Sequence, residues 1–203
     1  DNWTYLQMTP DKHPVERLAD TLYSEIGGKL TDIEGDLNHP DGRMLHRLAR
    51  QIEGERLLLY IDQFEELFTL TIDDAEREQF ISLMTQAATE PDGKVIVLLT
   101  MRADFYGHPL RYPQLATIFG AGTQPVLPMT ITELRDAIEE PALQPDVGLT
   151  FDDGLVAEIA FALRAQNRAL AGALPLLQFT LERLYAEKAG NRLTMAAYAA
   201  AGG

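Results

Sequence analysis

RLLLYIDQFEELFTL, residues 56–70, opens on an unbroken apolar run, Leu57 to Ile61, that stops abruptly at Asp62. Four to eight apolar residues closing on an acid describe a buried parallel strand that delivers a carboxylate to the carboxyl edge of its sheet. Open α/β sheets bind their ligands at that edge. In nucleotidases such an acid serves the water shell of Mg²⁺, and a nearby Glu polarises the attacking water. Glu65 and Glu66 follow at the right distance. The same fifteen residues also suit a plain core strand ending in a solvated acid and an acidic helix start. The stretch alone leaves both readings open.

Upstream, Trp3 to Met8 (WTYLQM) alternates like a strand and closes at Thr9-Pro10. Val15, Leu18, Ala19, Leu22 and Ile26 recur at helical spacing up to Gly27-Gly28, which predicts a helix from His13. A polar turn region follows around Asn38-His39-Pro40-Asp41-Gly42. Leu45, Leu48, Ala49 and Ile52 then predict a second helix, stopped at Gly54. Downstream of the 57–62 strand, Phe80, Ile81, Met84, Ala87 and Ala88 mark another helix, closed by Pro91-Asp92-Gly93. Val95 to Leu99 (VIVLL) is a second buried strand running into Thr100-Met101-Arg102. A loop carries Gly107, Pro109 and Pro113, and Gln124 to Leu127 is a candidate last strand. Strands alternating with helices predict a parallel sheet covered on both faces.

The character changes at Pro128. Thr130-Ile131-Thr132-Glu133 fits a capping box, and the helix it opens should stop at Pro141. Asp152 is a candidate cap for a helix carrying Leu155, Val156, Ile159, Ala160 and Leu163. Gly172-Ala173-Leu174-Pro175 opens a third helix, with Leu177, Leu181, Leu184 and Tyr185, ending near Gly190. The expected organisation is an α/β part over 1–128 and an all-helical part over 129–203.

Composition narrows the function. Lys and Arg number 17 against 31 Asp and Glu, a net charge of −14. Such a surface repels a phosphate backbone, so nucleic acid is not an expected partner. A local anion site remains compatible, because a few arginines and backbone N–H groups can bind a nucleotide within an acidic protein. No apolar run approaches the roughly 18 residues that span a bilayer, and the start lacks the pattern of a signal peptide. A membrane is therefore not expected either. Cysteine is absent, which excludes thiolate chemistry and suits a reducing cytoplasm. The four histidines are scattered, and the only serines, Ser24 and Ser82, lie outside any G-x-S-x-G. A metabolic α/β enzyme would lack both nucleophile and base constellation.

Two strands end in tips of opposite charge, Asp62 and Arg102. In a parallel sheet both lie on one edge, where an acid for Mg²⁺ and an arginine for a terminal phosphate match what phosphoryl transfer demands. An ordinary ion pair between Arg102 and Asp104 or a helix acid is the plain alternative. Phe105, Tyr106 and Tyr112 read as core and loop packing rather than a base-stacking platform.

LLLYIDQFEELFTL, VIVLLTMRADFYG and GALPLLQ occur in that order and spacing. Together they closely resemble the STAND class of P-loop NTPases, and within it the bacterial novel STAND domains that often precede WD-type propeller repeats. The resemblance covers essentially the whole chain. It implies that Asp62 is the Walker B acid holding Mg²⁺ and that Arg102, in Thr100-Met101-Arg102, senses the γ-phosphate. It also implies that Gly172 and Pro175 lie near the adenine of ATP. The implied function is a signalling switch whose nucleotide state sets conformation and oligomerisation.

The chain departs from that class in two places. The loop G-x-x-x-x-G-K-[ST] is absent; the only Gly-Lys pairs, Gly28-Lys29-Leu30 and Gly93-Lys94-Val95, lack the following Ser or Thr. The resemblance thus implies that the Walker A strand and its helix precede Asp1, and that these residues alone are inactive. A missing interior strand would leave ladder edges that invite a second copy, so a homo-oligomer is an expected partner, beside other protein domains. Gln63, where many P-loop ATPases place a second acid, is the other departure. It leaves Glu65, ahead of Glu66, as the candidate base. A non-catalytic assembly module that keeps the fold is the alternative from a different class.

Overall fold

Strands β1 (Trp3–Met8), β2 (Arg56–Ile61) and β3 (Val95–Leu99) form a parallel sheet in the order β1-β2-β3. Tyr5 stands opposite Leu58, which stands opposite Ile96; further along, Ile61 is paired with both Met8 and Leu99. The computed structural model describes residues 2–166 and 173–202. The chain divides into two compact units, Asp1–Gln124 and Pro125–Gly203, each with its own core.

Side chains alternate across a strand, and the two faces of this sheet differ sharply. Leu6, Met8, Leu57, Leu59, Ile61 and Val95 are buried under three helices, α1 (Pro14–Ile26), α3 (Met44–Ala49) and α5 (Asp74–Thr89). Helix α2 (Leu30–Leu37) packs on α1 through Ile33 and Leu37. A short helix, α4 (Glu66–Thr69), follows β2, and α6 (Pro113–Gly122) packs against α5. On the other face Tyr5 is 67% exposed and Leu98 51%, with Trp3 stacked on Tyr5 at 6.2 Å. The expectation of a sheet covered on both faces is corrected: among the described residues, the helices of this unit cover one.

Three further expectations change. Gln124–Leu127 is not a strand; Val126 is 96% exposed, and Pro125 has no N–H to give a ladder. Pro113 does not sit in a loop but at the first position of α6, where its missing N–H costs no helical bond. Ile52 lies beyond the end of α3, which stops at Ala49; Gly54 then turns with φ 97° beneath the Asn2 carbonyl.

The second unit is built on α7 (Ile131–Ala142), α8 (Leu155–Gln166), α9 (Ala173–Ala186) and α10 (Met195–Ala200). The capping box forms: Thr130 Oγ1 accepts from the Glu133 N–H, and the Glu133 carboxylate accepts from the Thr130 N–H. Pro141 lies inside α7, in its last turn, rather than ending it. The unit is not all-helical, because β4 (Thr150–Phe151) and β5 (Arg192–Leu193) pair in parallel. Asp152 serves that corner instead of capping α8. Its carboxylate accepts from Arg192 Nε at 2.6 Å and from the Met195 N–H at 2.9 Å. Helix α9 ends at Ala186, four residues before Gly190.

Candidate functional site

Strand β2 ends inside the sheet, and its continuation is fixed on both sides. The Asp62 N–H donates to the Met8 carbonyl at 2.9 Å, and the Thr100 N–H donates to the Ile61 carbonyl at 3.0 Å. Asp62 and Thr100 are thereby neighbours across the ends of β2 and β3. Tyr60, two residues before Asp62, shares its side of the strand.

These three side chains meet. Asp62 Oδ1 accepts from the Thr100 hydroxyl at 2.5 Å, from the Tyr60 hydroxyl at 3.1 Å and from the Gln63 N–H at 3.1 Å. The Thr100 hydroxyl is the main reason the Asp62 carboxyl sits below its ordinary range. Partial burial opposes that shift, while Tyr60 and Gln63 add to it. Gln63 adopts φ 52°, a left-handed conformation uncommon for a residue with a Cβ. That turn sends Phe64 back so that its N–H donates to the Thr100 carbonyl at 2.8 Å.

The other candidates are placed as follows. Glu65 precedes α4, and its Oε2 accepts from the Arg102 backbone N–H at 3.3 Å. Glu66 is the first residue of α4, where an acid suits the helix N-terminus. Arg102 forms a two-pronged pair with Asp104: Nε donates to Oδ1 at 3.1 Å and Nη2 to Oδ2 at 2.7 Å. The pair raises the arginine's affinity for its proton and lowers that of Asp104. Both side chains are exposed, so the pair is open to competition by a stronger anion. Arg102 also lies over the Phe105 ring at 5.8 Å.

Asp62, Glu65 and the Arg102 backbone therefore share one sheet edge. Pro175 lies in the first turn of α9, exposed, where its missing N–H has no helical acceptor to lose. It belongs to the second unit, and Gly172 lies outside the described residues.

Sequence reasoning misses Tyr60 and the part played by the Thr100 hydroxyl. Tyr60 counts as one more apolar residue in LLLYI, and only its i, i+2 relation to Asp62 hints at the contact. Arg77 escapes notice as well. Its Nε donates to the Leu67 carbonyl at 2.9 Å, and its other nitrogens reach the Thr71 carbonyl and Asp74, binding the segment between α4 and α5.

An acid at the carboxyl end of a buried parallel strand, on one sheet edge with Arg102, is what the sequence motifs anticipate; the Thr100 hydroxyl that holds it is not. The family model described as Novel STAND NTPase 1 matches residues 1–203. The chain belongs to that family. Neither curated proteins nor solved structures match it. Among the described residues of this STAND NTPase, no group of three His, Cys, Asp or Glu side chains is arranged to hold a metal ion. Asp62 by itself still suits Mg²⁺, which keeps several waters and takes one or two carboxylates together with substrate phosphates. Among the described residues of the STAND NTPase chain, no helix is long and apolar enough to cross a membrane.

Proposed function

We propose that this STAND NTPase chain is part of an ATP-dependent signalling switch of the P-loop kind, with its Mg²⁺ side chain at Asp62. The observation that carries the reading is Asp62 at the sheet edge: a carboxylate held ionised by neutral donors, beside Thr100 and the Glu65–Arg102 segment. When bound, Mg²⁺ screens the phosphate charge. The chain's own part is positioning. Asp62 presents an oxygen to the ion's water shell. Glu65, tethered to the Arg102 N–H, is the candidate base ahead of Glu66. Arg102 meets the terminal phosphate by exchanging Asp104 for it, a swap that two exposed, solvated partners permit. Turnover in such a switch is slow, and its product is a changed conformation or oligomer.

A second reading is a non-catalytic assembly module that keeps the fold. It is favoured by the absence of G-x-x-x-x-G-K-[ST] from these residues and by the engagement of Arg102 with Asp104. Calorimetry with Mg²⁺-ATP separates the two, using this chain and one extended upstream by the length of a strand, loop and helix. Saturable binding by the longer chain, lost in Asp62→Asn, supports the switch. No heat from a folded longer chain moves the assignment to the assembly module.

A further inference from the structure

We infer that Tyr60 and Thr100 are positioning residues that turn the Asp62 carboxylate so that a single oxygen, Oδ2, faces the cation. The inference rests on reading Asp62 as the Mg²⁺ side chain. All three donors that reach this carboxylate converge on Oδ1, and Oδ2 accepts no hydrogen bond among the described residues. Oδ1 has two lone pairs, so three donors leave it nothing to offer a metal or its waters.

The two hydroxyls arrive from different directions. Tyr60 reaches up the same strand from two residues back, and Thr100 reaches across from the end of β3. Rotation of the carboxylate about its last bond would break both at once. The Gln63 N–H alone, donated from the next residue along the chain, would not fix that rotation. Partners of this sort hold a metal-binding side chain in its productive orientation and are costly to lose. A tyrosine serves here because its ring lies along the strand while its hydroxyl reaches the tip.

The test is Mn²⁺ binding in the presence of ATP, followed by the electron spin resonance signal of free Mn²⁺, on the full-length protein. Unfolding midpoints are recorded alongside. Tyr60→Phe and Thr100→Val each remove one hydroxyl and keep the shape of the side chain. Each should weaken Mn²⁺ by roughly tenfold, the low end of what losing an orienting partner costs a metal ligand, with only the small drop in midpoint that one lost hydrogen bond brings. Thr100→Ser should restore the affinity, whereas Asp62→Asn should abolish binding. Wild-type affinity in both Tyr60→Phe and Thr100→Val, with Asp62→Asn still impaired, would overturn the inference and leave the Asp62 reading standing. An affinity loss that vanishes after correction for the folded fraction would also overturn it. If Asp62→Asn binds like wild type, or wild type does not bind, both readings fall.

Discussion

Asp62 owes its low proton affinity to neutral donors: the Thr100 hydroxyl first, which outweighs the opposing effect of burial, and then Tyr60 and the Gln63 N–H. No cation pairs with it among the described residues. A carboxyl whose affinity is lower in the folded than in the unfolded chain stabilises the fold above the unfolded value, near pH 4. That contribution is lost as pH falls through the folded value. The difference in unfolding free energy between wild type and Asp62→Asn should therefore shrink between about pH 6 and about pH 3. Urea titrations at stepped pH measure it. A difference that stays constant would mean the hydroxyl contacts do not favour the ionised form. The position of Asp62 is evident in the sequence because an apolar run with a sharp polar end marks a buried strand arriving at its sheet edge. The Asp104 partner of Arg102 is equally evident, being two residues away. The Tyr60 hydroxyl is not, because a tyrosine within LLLYI contributes to the apolar pattern whichever way its hydroxyl points.

The three strands carry a pattern that separates their faces. Leu57, Leu59 and Ile61 have no exposed surface, whereas Ile96 and Leu98, next to β2 on the far face, are well exposed. Truncating a fully enclosed leucine leaves a cavity, so Leu59→Ala should cost about 3 kcal/mol. Leu98→Thr, on the open face with a β-branched residue that suits a strand, should change stability by about 0.5 kcal/mol or less. Denaturant midpoints at equal slope decide the matter. A Leu98→Thr cost comparable to that of Leu59→Ala would show that the far face is packed in solution. The strands and long helices follow from periodicity, but α2 and α6 do not. Each buries few side chains, Ile33 and Leu37 in one and Leu115 in the other, so neither leaves a long apolar stripe. The β4–β5 pair escapes for another reason. Two-residue strands have no period, and their partners stand some 40 residues apart, as in Thr150 with Arg192.

A net charge of −14 on 203 residues acts on the fold as a whole. The ion pairs that oppose it lie mostly at the surface, such as Arg17–Asp20 at 3.8 Å and Arg135–Glu139 at 3.7 Å, where pairs add little. Repulsion among the excess carboxylates is spread over distances that salt screens well: the Debye length falls from about 20 Å at ~0.02 M to about 7 Å at ~0.2 M. The two apolar cores feel no such change. Sodium chloride over that range at neutral pH should therefore raise the unfolding temperature by about 2–4 °C, corresponding to about 1 kcal/mol for a chain of this size. The same addition near the isoelectric point, about 4.6, should have little effect, because the net charge responsible has gone. Chloride is the salt to use, since sulfate strengthens apolar burial by a separate route. Calorimetric scans at both pH values distinguish the causes. A rise of equal size at both would assign the effect to burial, and a fall at neutral pH would mean that the surface pairs outweigh the repulsion.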